Sequence, residues 1–219
     1  MNKALFDLIV FDWDGTLMDS TAVIGKCIQA AARDLGLAVP PQRAALSVIG
    51  LDLRRAIQTI LPDVLPEHHA KLTDRYHYHM LAQDQESTLF EGVREMLLDL
   101  SQQGYFLAVA TGMGRVGLNR ALNQTGLLSL FDASRCADET FSKPHPAMLQ
   151  ELGRELGQSL QRILMVGDTT HDLQMAINAG AASIAVTYGA HPEASLRALQ
   201  PIHVAANVAD LHAWLNTHA

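Results

Sequence analysis

Short runs of consecutive apolar residues alternate along this chain with longer stretches in which apolar positions recur every three or four residues. Four runs stand out: residues 5–11 (LFDLIVF), 106–110 (FLAVA), 163–166 (ILMV) and 183–186 (SIAV). Each has strand length and is apolar enough to be covered on both faces, as strands inside a parallel sheet are. Between them, residues 93–103, with Val93, Met96, Leu97 and Leu100 on one face, and residues 116–125, 146–156 and 173–179 read as amphipathic helices. Helices alternating with buried strands predict an α/β fold: a doubly wound, Rossmann-like parallel sheet with right-handed crossovers.

Residues 18–87 break that rhythm. They carry helical patterns over 21–35, 41–47, 53–61 and 66–82, punctuated by Gly36, Gly50 and Pro62, and no convincing buried strand. The expected organisation is therefore a core of residues 1–17 and 88–219 with a small α-helical cap, residues 18–87, inserted after the first strand. An insert that leaves there and returns before the second strand stands at the carboxyl edge of the sheet, where open α/β folds bind ligands.

Composition narrows the function classes. The 219 residues are 48% hydrophobic, so a sizeable buried core is expected. A net charge of −7, with 16 Lys plus Arg spread along the chain, disfavours nucleic acid as a partner. Cys27 and Cys136 fit no metal-ligand spacing and are too few for a disulfide framework, which suits a reducing cytoplasm. No apolar run reaches the ~18 residues of a membrane span, and Asp7 interrupts what would have to be the apolar part of a leader. The expectation is a soluble cytoplasmic protein with no membrane partner; nothing in the sequence sets an oligomeric state.

The candidate chemistry lies at the strand ends. The first strand runs into Asp12-Trp13-Asp14-Gly15-Thr16, two carboxylates one residue apart, which call for a cation. A hard divalent ion such as Mg²⁺ takes oxygen ligands and suits one or two carboxylates plus a substrate phosphate. The alternative is an ordinary Asx-rich turn. After FLAVA comes Thr111-Gly112, a hydroxyl beside a residue whose backbone can approach an anion. Ser142-Lys143-Pro144 offers an ammonium as counter-charge for phosphate. After ILMV comes Gly167-Asp168-Thr169-Thr170-His171-Asp172, two carboxylates four residues apart at a strand-to-helix turn. Each has a bland reading: a turn, a solvated lysine, a helix N-cap. Together, ordered along one sheet edge, they read as a site for phosphoryl chemistry.

In that order, Asp12-x-Asp14-Gly15-Thr16, Thr111-Gly112, Lys143 and Gly167-Asp168-x-x-x-Asp172 resemble the four motifs of the haloacid dehalogenase superfamily. The helical insert, with Asp19-Ser20 leading into it, is similar to the subgroup that includes phosphoglycolate phosphatase (subfamily IA). The resemblance implies a Mg²⁺-dependent phosphatase acting on a small phosphorylated metabolite, a phosphoglycolate-like compound or a sugar phosphate. Asp12 would be the nucleophile and Asp14 the acid and base. Thr111, Gly112 and Lys143 would hold the phosphoryl group. The metal would be bound by Asp12, Asp168 and the backbone carbonyl of Asp14. Asp172 has three open roles: reaching the metal through water, orienting Lys143, or capping its helix.

Two departures from the family pattern stand out. Met113 follows Thr111-Gly112 where related sequences often have lysine, and Arg115 is a candidate for the missing charge. Trp13 is bulkier than expected between the two aspartates, and a packing role is predicted for it. In the insert, the glycine turn at 49–55 makes Arg54 and Arg55 candidates for gripping a second anionic group. His68, His69, His77 and His79 lack carboxylate or cysteine partners at metal-ligand spacing and are expected to be solvated; His145 and His171 lie nearer the site. A dehalogenase is disfavoured, because such relatives lack a carboxylate at the Asp14 position. A sugar-phosphate mutase and a non-hydrolysing phosphoacceptor or binding module remain the alternative readings.

Overall fold

A computed structural model of the chain describes residues 5–83 and 87–219. The start of the expected core segment (residues 1–4) and the end of the expected insert (84–86) lie outside the described residues.

Six strands form one parallel sheet in the order β5-β4-β1-β6-β7-β8. They are β1 (Leu8–Phe11), β4 (Phe106–Thr111), β5 (Ala133–Cys136), β6 (Ile163–Gly167), β7 (Ala182–Val186) and β8 (His203–Ala205). The remaining two, β2 (Met18–Asp19) and β3 (Thr88–Leu89), pair antiparallel with each other. Every residue of β1 is fully buried, as its unbroken apolar run requires, whereas Leu5 is exposed and precedes the strand. β1 lies between β4 and β6, with Phe11 in register with both Val109 and Val166. The chain thus builds outward from β1 in both directions, which makes the carboxyl ends of β4, β1 and β6 the switch point of the sheet.

The order of helices is α1 (Thr21–Asp34), α2 (Gln42–Leu46), α3 (Leu53–Ile60), α4 (Pro66–Ala82), α5 (Val93–Gln102), α6 (Arg115–Thr125), α7 (Ala147–Glu155), α8 (Thr170–Ala179), α9 (Glu193–Arg197) and α10 (Val208–His218). One apolar layer joins α5, α6 and α10 to one face of the sheet through Met96, Leu97, Leu118, Leu122, Leu211 and Leu215. A second joins α7 and α8 to the other through Met148, Leu149, Leu152, Met175 and Ala176. Trp13 is buried and meets Phe131 edge to face at 6.5 Å, so its bulk serves packing.

Helices α1 to α4 bury apolar clusters of their own, one around Ile24, Ile28, Val48 and Ile49 and another around Ala31, Ile57, Leu61 and Leu72. The β2–β3 pair fastens the point where the chain departs to the point where it returns, Met18 opposite Leu89 and Asp19 opposite Thr88. Asp52 caps α3 by accepting from the Arg55 amide at 2.9 Å. His79 meets the Asp34 carboxylate at 2.8 Å and His69 the Val64 carbonyl at 3.2 Å, so these two are held by local partners.

Candidate active site

The switch point collects the chemistry. Asp12 follows β1 directly and its amide donates to the Val166 carbonyl of β6 at 2.9 Å, extending the ladder by one residue. Its side chain is buried, as are those of Thr111 at the end of β4, Lys143, and Asp168 and Asp172 beyond β6. The Lys143 ammonium bridges two carboxylates, 2.8 Å from Asp12 Oδ1 and 2.6 Å from Asp172 Oδ1. Asp172 also closes a capping box on α8: its Oδ2 accepts from the Thr169 amide at 3.1 Å and the Thr169 hydroxyl at 2.6 Å. One carboxylate therefore orients the lysine and caps the helix, so two of its three open roles are one geometry.

Asp168 is gripped from two directions. Thr16 Oγ1 donates to its Oδ1 at 2.9 Å and the Ala190 amide to its Oδ2 at 2.7 Å. Gly15 and Gly189 make room for it: a Cβ on either would lie 2.2 Å from Asp168 Oδ2. The loop after β7 was not singled out in the sequence, and Tyr188-Gly189 directly past an apolar strand was the available signal. Asp14 points elsewhere. Its Oδ1 accepts from Ser20 Oγ at 2.7 Å, and the residue lines the cavity described below.

Burying this many acids shifts their protonation. Burial pushes Asp12 well above the usual carboxylate range, against the pull of Lys143. Burial, then the neighbouring Asp172 charge, lifts Asp168 to about 7. Burial also raises Asp14, tempered by the Ser20 hydrogen bond. For Lys143 burial alone would lower the value, but Asp12 and Asp172 outweigh it and hold the ammonium above its ordinary range.

Asp12, Asp168 and Asp172 each present an oxygen within 4.8 Å of the others, the one such acidic group among the described residues. Asp12 Oδ2 is buried with no hydrogen-bond partner there. A buried, unpartnered carboxylate oxygen beside a second carboxylate is a donor set suited to a hard divalent cation. The Asp14 side chain stands outside that group.

The other expected residues fall away from this centre. Arg115 is committed to Glu139, with contacts of 2.8 and 2.5 Å, and to Ser134 Oγ at 2.8 Å, so it does not replace a charge after Met113. Arg54 and Arg55 are exposed on α3 and do not line the cavity; Arg55 instead donates to the Lys143 carbonyl at 3.3 Å. His145 stacks on Phe141 at 4.5 Å and accepts from the Ala147 amide at the start of α7. His171 and His191 both bring Nε2 to the Ser47 carbonyl, at 3.3 and 3.2 Å, tying the core to the helical insert.

Between insert and core lies a cavity of about 450 Å³, walled by α1, α3 and α4 on one side and by Asp14, Gly112, Met113 and the first turns of α6 on the other. At Gly112 the two sides lie close together: a Cβ there would lie 2.6 Å from the Leu51 carbonyl oxygen and 2.7 Å from that of Gly50. Residues of the glycine turn at 49–55 and Gly112-Met113, singled out in the sequence, are part of its wall; the α1 and α4 residues read there as ordinary core positions of amphipathic helices.

Comparison with known proteins gives the family. Residues 9–186 match the family model described as haloacid dehalogenase-like hydrolase. The chain is 39% identical over 201 residues to a probable phosphatase, IndB, of Dickeya dadantii, covering 89% of this chain and 86% of that one. It is 33% identical over 195 residues to a phosphoglycolate phosphatase of Aliivibrio fischeri, covering 83% and 84%. The crystal structure of a predicted phosphoglycolate phosphatase from Haemophilus somnus superposes with a TM-score of 0.85 at 26% identity, covering 96% and 98% of the two chains. The chain belongs to the haloacid dehalogenase-like hydrolases and is a phosphohydrolase of that family.

Proposed function

We propose that this protein is a cytoplasmic, Mg²⁺-dependent phosphatase that hydrolyses a small phosphate monoester through a phospho-aspartate on Asp12, with residues 18–87 acting as a cap over a core of 1–17 and 88–219. The observation that carries the reading is the buried Asp12–Lys143–Asp172 chain beside Asp168, at the switch point of the sheet and next to a cavity. Asp12 and Asp168 side chains, with the Asp14 carbonyl, would hold the cation. When bound, that ion screens the charge between carboxylate and phosphate dianion and keeps Asp12 ionised despite its burial.

The remaining steps belong to the chain. Lys143 and the Thr111-Gly112 turn orient the phosphoryl oxygens. An Asp12 carboxylate oxygen bonds to phosphorus as the bond from phosphorus to the alcohol oxygen breaks, and Asp14 gives that oxygen its proton. A carboxyl raised by burial is suited to arrive protonated. Water then attacks phosphorus, Asp14 takes its proton, and the Asp12–phosphorus bond breaks to release inorganic phosphate.

The test is phosphate release from p-nitrophenyl phosphate by the purified protein, with Mg²⁺ and after chelation, alongside Asp12→Asn. Asn keeps the shape and loses the anionic nucleophile, so activity should fall at least ~10³-fold, about 4 kcal/mol of barrier. More than a tenth of wild-type turnover in Asp12→Asn, or full activity after exhaustive chelation, would contradict the scheme.

A further inference from the structure

The cavity begins where the phosphate-holding residues end. Asp14 and Gly112 are in its wall, while Asp12, Thr111, Lys143 and Asp168 are not. In the scheme above, Asp14 is the group that meets the leaving oxygen, so the space beyond it belongs to the leaving group. That space is large: an engineered cavity of ~150 Å³ already admits benzene, and this one measures about 450 Å³.

Its walls are chemically one-sided. Ile24, Ile28, Val48, Ile49, Leu53 and Met80 line it from the insert, and Met113 and Val116 from the core. Among the described wall residues the polar side chains are Asp14, Tyr76, His77 and Arg120. Arg120 sits on α6 and has a partner of its own within the protein. Tyr76 lies far enough inside that burial, then the nearby Asp14 charge, raises its hydroxyl well above the ordinary phenol value. A second anionic group on the substrate would have to leave water for a mainly aliphatic wall whose cation, Arg120, already has a partner, and a poorly paired buried charge is costly. An uncharged ring or branched alkyl group would instead displace water from that wall, at ~25 cal/mol per Å² of apolar surface covered.

We propose that this cavity takes an uncharged, apolar, ring-sized leaving group, so that the enzyme's substrates are phosphate monoesters of such alcohols and not phosphates carrying a second anion. The inference rests on the phosphatase reading, and it moves substrate selection from Arg54 and Arg55 to the facing walls of α1, α4 and α6.

The experiment compares benzyl phosphate, 2-phosphoglycolate and pyrophosphate as substrates in Mg²⁺, and in parallel measures calorimetric binding of benzylphosphonate and phosphonoacetate, a matched pair that cannot be hydrolysed by ester cleavage. The expected result is kcat/KM at least tenfold higher for benzyl phosphate than for either anionic substrate, and benzylphosphonate binding at least tenfold tighter than phosphonoacetate. Met80→Lys, checked for folding by circular dichroism, should reverse the order of the two phosphonates by placing a cation in the wall. Equal or better turnover of 2-phosphoglycolate or pyrophosphate, or tighter wild-type binding of phosphonoacetate, overturns the proposal. Preferential binding of benzylphosphonate with no release from any ester would sink the phosphatase reading and leave the apolar site standing.

Discussion

Lys143→Met tests whether the buried ion chain holds the site together as well as serving its chemistry. Lys143 is fully buried between Asp12 and Asp172, at 2.8 and 2.6 Å, so its removal leaves two carboxylates facing each other without a cation. Breaking a buried pair from one side costs about 3–5 kcal/mol. For a chain of this size each kcal/mol is worth roughly 2–4 °C, so melting should fall by about 6–20 °C. Methionine fills the stem's volume, which keeps a cavity from explaining the loss. The sign with pH is fixed: carboxyls raised in the folded state bind protons that the unfolded chain does not, so stability falls as pH rises from ~4 through the raised values. The penalty should therefore be larger at pH 8 than at pH 5. Adding Asp172→Asn removes the opposing charge, and the double variant should lose at least ~1 kcal/mol less than the sum of the singles. The assay is urea unfolding in EDTA, followed by Trp fluorescence and by circular dichroism to check that the transitions coincide. Lys143→Met within ~0.5 kcal/mol of wild type, or strict additivity in the double variant, would refute the argument.

Gly112→Ala should cost about 1–3 kcal/mol and lower kcat/KM on all substrates alike, because its Cβ would press on the Leu51 and Gly50 carbonyl oxygens, which are backbone; unchanged urea midpoint and activity would show that the two sides are not in contact there. Burial lowers the pKa of His171 and His191 below the ordinary imidazole value of ~6.5, so the unfolded chain gains protons first and this contribution to stability is lost as pH drops through that value. His191→Gln should accordingly lose less stability than wild type between pH 7.5 and 5, measured by thermal melting at both; parallel losses would count against it.

The central strands were legible because burial on both faces demands unbroken apolar runs. β5 was not: its residues are Ala-Ser-Arg-Cys, and Ser134 and Arg135 serve polar partners at the sheet edge, Arg135 reaching Glu151 at 2.8 Å and Glu155 at 2.6 Å. β8, three residues on the opposite edge, gave equally little pattern. Helix α8 begins at Thr170, three residues before its apolar periodicity becomes visible, because the Thr169–Asp172 capping box starts it with polar side chains. At the site, the sequence offered the residue types and their order along the edge. The pairing of Lys143 with Asp12 and Asp172 needed the fold, since the three are far apart in the chain. Arg54 and Arg55 lie outside the cavity wall, and a glycine turn shows where a loop bends without showing which way the following helix presents its charges.

The two halves of the site divide the work of recognition unequally, and the charges show how. Asp12, Asp168 and Asp172 are buried with a single ammonium, Lys143, among them, and burial already raises both Asp12 and Asp168. A dianionic phosphate entering such a place finds a single ammonium, and Lys143 is already paired to two carboxylates. The insert side of the cavity is mainly aliphatic, with Tyr76 and His77 as its polar side chains, and the acid across from it is Asp14. On the proposed reading, affinity for the phosphoryl group comes from the core residues together with the proposed cation, and affinity for the rest of the substrate from apolar contact with the insert. It follows that ionic strength and metal concentration should govern how well any phosphate binds, while the shape and hydrophobicity of the alcohol decide which phosphate is turned over.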